Sequence, residues 1–265
     1  VLEKMSVGGG NCTVSSGGFV CVDNVKDGLA YMKKTYELSR GECDEELLRI
    51  FCEGSLTIKE WISKLDPEAK FRVYGHAGWQ HFPGANAIKK WSIYGRKGFT
   101  GGDLLFQTFR RIAEDVQKTP VLYNTPAKRL VREGNVVVGV IAEHEGKDMA
   151  IRAKRGVIIA TGGFHANREM ICKYMGGGVA WMPLRGSAYM MGVNIELTRP
   201  FMPYYTNLDQ FHGGPIHGPT QANPSTMVNY GIIVNKEGAR ILDEVMTYVA
   251  VAKKLPSITP DNWAF

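Results

Sequence analysis

Apolar side chains recur at helical spacing through residues 25–65: Leu29, Met32, Tyr36 and Leu38 form one set, Leu47, Leu48 and Phe51 a second, and Leu56, Ile58, Trp61, Ile62 and Leu65 a third. Residues three and four apart share a helix face, so this stretch is expected to hold two or three helices. The run Asp44-Glu45-Glu46 marks one helix start, where carboxylates meet the positive end of the helix dipole. A further stripe, Leu104, Leu105, Phe109, Ile112, Ala113 and Val116, follows the glycine-rich Gly98-Phe99-Thr100-Gly101-Gly102-Asp103 and predicts another helix. The period then changes. Val121-Leu122-Tyr123 reads as a strand, and residues 129–131, 136–142 and 149–152 read as a β-meander with turns near Asn135 and Gly146. Residues 74–84, from Tyr74 to Gly84, have no period and are dense in aromatic and histidine side chains. They read as a loop, either covering a binding site or lying on the surface with a tucked-in Trp79.

Val157-Ile158-Ile159-Ala160 is an apolar, largely β-branched run ending in Thr161-Gly162-Gly163. It predicts a buried strand whose tip lets another group approach the backbone, because glycine has no Cβ. A tight turn after a core strand is the alternative. Val1-Leu2 reads as part of a strand closed by Glu3. In dinucleotide folds an acid at such a place accepts hydrogen bonds from ribose hydroxyls. Gly8-Gly9-Gly10-Asn11 and Ser15-Ser16-Gly17-Gly18 supply bare N–H groups and short hydroxyls suited to a pyrophosphate, with a flexible loop as the other reading.

Glu3-Lys4, Gly9-Gly10-Asn11, Ser16-Gly17-Gly18-Phe19, Ala160-Thr161-Gly162-Gly163-Phe164 and Gly231-Ile232-Ile233-Val234-Asn235-Lys236-Glu237-Gly238-Ala239-Arg240 occur in an order that resembles the fumarate reductase/succinate dehydrogenase flavoprotein superfamily, including its 3-ketosteroid dehydrogenase-like and tricarballylate dehydrogenase-like branches. The matches run from Val1 to about Glu244. The resemblance implies an α/β fold: a Rossmann-like FAD-binding lobe with a β-meander over residues 1–205, a helical excursion at about 25–95, and part of an α+β capping or substrate lobe over 206–265. It implies FAD as cofactor, bound by Glu3, Lys4, Gly9, Gly10, Asn11, Ser16, Gly17, Gly18, Ala160, Thr161, Gly162 and Gly163, with backbone contacts near Ala127 at the adenine end. It also implies hydride transfer between flavin N5 and an activated C–C bond, of an enone or ketosteroid or of an α,β-unsaturated acid, with a protein group handling the proton. The superfamily's Thr-Gly-Asp-Gly motif is missing after Arg185-Gly186-Ser187, where Tyr189-Met190-Met191-Gly192 runs into Val193-Asn194-Ile195. Its N-terminal G-x-G-x-x-G turn and its C-terminal glycine-rich segment are missing too. The residues are therefore expected to be an incomplete record of a longer polypeptide, and a flavin-binding module without turnover is the alternative to an enzyme. A nicotinamide-only oxidoreductase is disfavoured by the Thr-Gly-Gly strand end.

In the superfamily a histidine ahead of the Gly-Ile-Ile-Val-Asn-type strand orients a substrate carboxylate or carbonyl. His212 is the first choice and His217 the second; a loop histidine bonded to backbone is the other reading of either. Where fumarate reductases place a proton-delivering arginine, the count from Gly238-Ala239-Arg240 through Asp243-Glu244 lands on Tyr248. Two charged residues of the superfamily are likewise replaced by the neutral run at 225–229, Ser-Thr-Met-Val-Asn. This departure tilts the resemblance towards the ketosteroid branch, in which a phenol polarises a ketone or takes a proton, while a packed helical aromatic is the other reading of Tyr248. Arg185 and Arg199 are candidates for a substrate anion or cofactor phosphate, and Arg240 is expected to tie its turn to Asp243 or Glu244.

Composition narrows the classes. A chain of 265 residues, 44% hydrophobic and 22% charged, can bury a large core and is expected to divide into two lobes. The net charge of +6 is scattered in pairs such as Lys33-Lys34, Lys89-Lys90 and Arg110-Arg111, so no nucleic-acid partner is expected. The surplus would steer an anionic cofactor or acidic substrate. The expected partners are a small-molecule substrate and an external electron donor or acceptor. No apolar run reaches the roughly 18–20 residues that span a bilayer, so no integral membrane segment is expected. The five cysteines form no C-x-x-C pair and are expected as reduced thiols in a reducing, cytoplasmic compartment. The six histidines show no zinc spacing, and no metal is expected.

Overall fold

The chain opens on an extended segment that pairs in parallel with Leu122: the Glu3 N–H donates to the Leu122 carbonyl at 2.9 Å, and the Leu122 N–H to the Val1 carbonyl at 2.9 Å. The computed structural model describes residues 1–95, 101–218, 231–244, 246–259 and 264. Residues 98–100, on the approach to the Leu104 stripe, and the neutral run 225–229 lie outside the described residues.

A short helix α1 (Asn11–Val14) leads to strand β1 (Gly18–Val22). Helix α2 (Val25–Ser39) starts at Asn24, whose side chain accepts from the Asp27 N–H at 2.9 Å, and stops at Arg40 in the left-handed region with φ 55°. Helix α3 (Glu45–Leu65) starts at Asp44, which accepts from the Leu47 N–H at 3.0 Å, with Glu45 and Glu46 in the first turn and Lys64 in the last. The second and third apolar sets thus belong to one helix, whose buried face is Leu48, Cys52, Ser55 and Ile62.

Strands β2 (Lys70–His76) and β3 (Ile88–Tyr94) complete an antiparallel sheet of order β1-β3-β2. The loop expected from Tyr74 onwards is corrected here: it begins only after His76, because cross-strand pairing extends β2 through Gly75 and His76 opposite Lys90 and Lys89. In the remaining loop Trp79 and Phe82 stack with centroids 5.5 Å apart and pack on the core of Val22, Tyr31, Cys52, Ala77, Ala85 and Ile88. The Tyr31 hydroxyl accepts from the Trp79 N–H at 3.1 Å, so the tryptophan is tucked in.

Helix α4 (Gly101–Arg110) continues as a π-helical turn through Val116. Strands β4 (Ala127–Glu133), β5 (Val136–His144) and β6 (Lys147–Arg152) form the expected meander in the order β4-β5-β6. Its second hairpin turns at Glu145 and Gly146, with φ 51° and 74°, the paired positive angles that a two-residue turn with the strand twist requires. Residues 157–160 depart from expectation. They join no ladder, and Ile158 is 94% exposed. Their β-branched sequence favours extended backbone, but burial needs a neighbouring strand on each side. Among the described residues the parallel pairing is confined to the bridge between Leu2 and Leu122.

Helices α5 (Arg168–Met175), α6 (Gly177–Ala180) and α7 (Val193–Thr198) enclose a core of Phe164, Met170, Ile171, Ala180 and Ile195. Helix α8 (Tyr248–Ile258) starts at Thr247, which accepts from the Ala250 N–H, and buries Val251 and Leu255 against Leu242. Ahead of it, Val234 and Arg240 bridge a tight turn. The Arg240 guanidinium is paired with Glu244, which is only 8% exposed and also accepts from the Ile233 N–H at 2.8 Å. The expected tie of Arg240 is therefore to Glu244. That guanidinium and the Ile233 N–H hold the Glu244 carboxyl well below the usual range, at about 2.

Two predictions follow from this packing. Gly17 has φ +67°, and a Cβ there would overlap the backbone of Gly101 and Gly102. Gly17→Ala is expected to cost about 1–3 kcal/mol, as overpacking does, read as a lower melting temperature with or without added ligand. For Glu244 the folded pKa of about 2 lies below the ordinary 4.5, so its contribution to stability is complete above pH 4.5 and is lost as pH falls towards 2. Glu244→Gln should melt lower at neutral pH and show a flatter stability profile between those two pH values in acid titrations.

Candidate functional site

Three segments meet around a strap at residues 185–192. The first is the N-terminal strand: the Glu3 carboxylate accepts from the Met5 N–H at 2.8 Å, and the neighbouring Lys4 ammonium donates to the Tyr189 carbonyl at 2.6 Å. The second is the glycine turn ahead of α1, in which Gly9 and Gly10 have φ 120° and 47°. From its end the Asn11 amide oxygen accepts from the Ser187 N–H at 2.7 Å, while Asn11 Nδ2 lies 3.0 Å from His165 Nε2. The third is the turn after Ala160, in which Gly162 has φ 75°. The strap is bonded to it by Ala166 N–H donating to the Met190 carbonyl at 3.0 Å and Gly192 N–H donating to the Gly163 carbonyl at 3.1 Å.

Met190 is the centre of this arrangement. A Cβ on Gly162 would overlap its sulfur, and a Cβ on Gly10 would stand 2.7 Å from its methyl carbon. The Thr161 hydroxyl is buried there with no hydrogen-bond partner. Burial draws the His165 imidazole below its ordinary range, so at neutral pH it is uncharged and accepts from the Asn11 amide. Glu3, Lys4, Gly9, Gly10, Asn11, Thr161, Gly162 and Gly163 are thus brought to one place, with exposed Ala160 leading into it. A glycine-lined gap, an orphaned buried hydroxyl and a carboxylate acceptor on the adjoining strand are features that a dinucleotide site uses, and on those grounds the residues fit FAD.

The other expected cofactor residues sit apart from that gap. Gly17 is packed on Gly101 and Gly102, whose N–H donates to the Ser15 carbonyl at 3.1 Å, and Gly18 faces the Tyr74 hydroxyl. Ser16 is exposed beside them. Ala127 begins β4, opposite Ala142.

A second cluster joins two of the expected catalytic residues. His212 Nε2 and the Tyr248 hydroxyl are 2.8 Å apart, with their rings edge to face at 89°. Tyr248 is the first residue of α8, and the preceding Thr247 packs under Gly78 of the aromatic loop, where a Cβ would come within 2.7 Å. Burial and the nearby Lys90 ammonium lower the His212 pKa; burial, followed by the charge of an ionised Tyr74, raises that of Tyr248. The pair is neutral at physiological pH and can pass one proton along its hydrogen bond. His217 is exposed further along the same extended segment, and exposed Arg199 opens a 3₁₀ turn at Arg199–Phe201; neither makes the contact that joins His212 to Tyr248. His165 and Met190 went unmarked in the sequence. His165 follows the Gly162-Gly163-Phe164 motif directly, a position that could have drawn attention; Tyr74 was marked only as the start of the aromatic segment, and nothing local marks Met190.

Among the described residues no group of three or more His, Cys, Asp or Glu side chains is placed to hold a metal ion, and no helix is long and apolar enough to cross a membrane. The five cysteines are free, with Cys12 and Cys172 exposed.

The sequence profile described as FAD binding domain matches residues 1–255. Urocanate reductase of Eggerthella lenta is 26% identical over 269 residues, covering 92% of this chain and 41% of that protein. A 3-oxosteroid 1-dehydrogenase of Mycobacterium tuberculosis is 32% identical over 139 residues, 49% of this chain and 25% of its own length. Among solved structures, 3-ketosteroid-delta4-(5alpha)-dehydrogenase of Rhodococcus jostii RHA1 superposes with a TM-score of 0.77 at 22% identity, over 100% of this chain and 59% of that one. An open flavocytochrome c3 fumarate reductase gives 0.74 at 22% identity, over 99% and 47%. The chain thus spans about two fifths of the length of urocanate reductase and shares the fold of these flavoproteins over nearly all of its own length. It belongs to the FAD binding domain family, within the fumarate reductase/succinate dehydrogenase flavoprotein superfamily.

Proposed function

We propose that this chain is the dinucleotide-binding part of an FAD-dependent oxidoreductase acting on a C–C bond next to a carbonyl or carboxylate. The observation that carries the catalytic reading is the hydrogen bond between His212 and Tyr248, both neutral, on a segment and a helix that flank the aromatic loop. FAD, when bound, supplies the hydride chemistry. Glu3 would accept from ribose hydroxyls, and Gly9, Gly10, Gly162 and Gly163 would let the pyrophosphate approach the backbone, with Thr161 finding in the cofactor the partner it lacks. Gly17 and Gly18 would position β1 rather than touch a phosphate, since protein atoms already meet them.

At the reacting end Tyr248 is the acid or base. Its phenol donates to a substrate oxygen or exchanges a proton with the carbon beside it, and His212 accepts or returns that proton through Nε2. His217 and Arg199 remain candidates for orienting a substrate carboxylate. The substrate is an enone of ketosteroid type or an α,β-unsaturated acid; relatives named for a 3-oxosteroid, for urocanate and for fumarate represent both classes. In this reading residues 1–205 hold the cofactor, residues 206–265 contribute to the substrate side, and an external donor or acceptor completes the cycle.

Protein mixed with FAD and freed of excess should retain flavin absorbance, bleach with dithionite, and regain colour on adding an enone or an unsaturated acid. A preparation that stays colourless at every FAD concentration would sink the cofactor reading, and retained flavin that no such acceptor reoxidises would leave a binding module. Tyr248→Phe is expected to slow reoxidation by about 10²–10⁴, the usual worth of a positioned acid or base, with flavin content unchanged; an unaltered rate removes Tyr248 from the chemistry. The His212 pKa lies below 6.5 and the Tyr248 pKa above 10, so between those values neither group changes charge and the pair should impose no pH dependence on the rate.

A further inference from the structure

The groups that would hold the cofactor are in use. The Lys4 ammonium is bonded to the Tyr189 carbonyl, the Asn11 amide oxygen to the Ser187 N–H, and the space beside Gly10 and Gly162 is filled by the Met190 thioether. We propose that Met190 sets access to the dinucleotide site: its side chain and the cofactor compete for the gap between the two glycine turns, and FAD binds when the Met190 side chain turns out of the gap and the 185–189 part of the strap swings aside. The inference rests on the reading of Glu3, Gly10 and Gly162 as cofactor residues.

The strap is built for such an exchange. Its C-terminal end is fixed by the backbone bonds of Met190 to Ala166 and of Gly192 to Gly163. Its N-terminal part, Arg185, Gly186, Ala188 and Tyr189, is exposed, and only Lys4 and Asn11 tie it to the glycine turn and the first strand. Methionine suits the role, since its unbranched side chain has three rotatable bonds and adapts to irregular gaps or leaves them at small cost. A closed state that uses the ligand's own binding groups lowers the apparent affinity in proportion to the fraction of molecules that are open.

The test is FAD affinity by quenching of flavin fluorescence for the wild type, Met190→Ala and Met190→Leu. Met190→Ala should bind about tenfold or more tightly than wild type, because emptying the gap removes the competitor. Met190→Leu, of similar volume, should stay near wild type. Equal affinities for wild type and Met190→Ala would overturn the gate and leave the cofactor reading standing, whereas no binding by any of the three would remove both. A readout on the unaltered chain covers the case of a variant that does not fold. Trypsin cleavage after Arg185 should accelerate on addition of saturating FAD as the strap is released, and protection of that bond by FAD would also overturn the proposal.

Discussion

Contacts too close for any side chain to intervene determine this structure. Where Gly17 meets Gly101 and Gly102, one backbone lies directly on another, and this fixes the end of the N-terminal glycine turn against the start of α4. Where Gly10 and Gly162 meet Met190, two turns distant in sequence are held one thioether apart. At Gly10, Gly17, Gly101 and Gly162 glycine is required by space as much as by conformation, since each also has a positive φ, whereas Gly102 is required by space. The parallel contact of Leu2 with Leu122 then inherits its alignment, and so does the position of Glu3 beside Lys4 and the strap. The glycine runs have two distinct physical causes. Those at 17 and 18 serve packing of the protein on itself, and those at 10 and 162 border the space that Met190 fills and that the proposed cofactor would contest.

The cluster proposed as catalytic depends on a different balance. His212 and Tyr248 come from an extended segment and a helix start, and neither is deeply buried. Their shifts run in opposite directions for one reason: partial removal from water penalises the charged form of each, imidazolium in one case and phenolate in the other. The positive Lys90 disfavours imidazolium further, as an ionised Tyr74 would disfavour phenolate. Both shifts favour the neutral form, so the contact is a hydrogen bond between neutral groups rather than an ion pair. Tyr74 also touches Gly18, so the middle of β2 is in contact with the glycine-rich entry to β1 and electrostatically coupled to the catalytic pair.

Much of the fold was legible in the sequence where local physics suffices. Caps at Asn24 and Asp44 and the turn at Gly146 act within a few residues, and the helices and meander they bound are found where periodicity puts them; α8, capped by Thr247, was not read from periodicity. The sheet of β1, β3 and β2 was not legible. Its central strand reads Ile-Lys-Lys-Trp-Ser-Ile-Tyr, and Lys59 over the Trp91 ring supplies the cover that the strand's own polar residues conceal. Residues 157–160 show the converse. Their sequence specifies extended backbone, but whether such a segment is buried depends on neighbours that no local pattern encodes. In the candidate site the glycines, Glu3, His212 and Tyr248 were visible because their chemistry is conspicuous. Met190 was not, because an apolar side chain gives no sign of filling a space of polar importance.

That last point bears on how binding and chemistry are divided in this chain. The cradle is made by residues 3–11, 161–166 and 185–192, and the proton pair by residue 212 and the start of α8. The two clusters share no side chain. In the proposed reading, a change that alters the strap acts on the open fraction of the cradle, and so on affinity for the dinucleotide, while leaving the neutral His212–Tyr248 bond as it is. A change in the pair acts on proton movement and leaves the glycine turns untouched. Effects at sites that share no partner add, so the free-energy consequences of combined substitutions in the two clusters should be simple sums. Departure from additivity would mean that the strap and α8 move together, through Tyr74 at Gly18 or through the packing of α8 on α6, where Pro256 meets Gly178, and the Phe164 and Met170 core beneath Gly192.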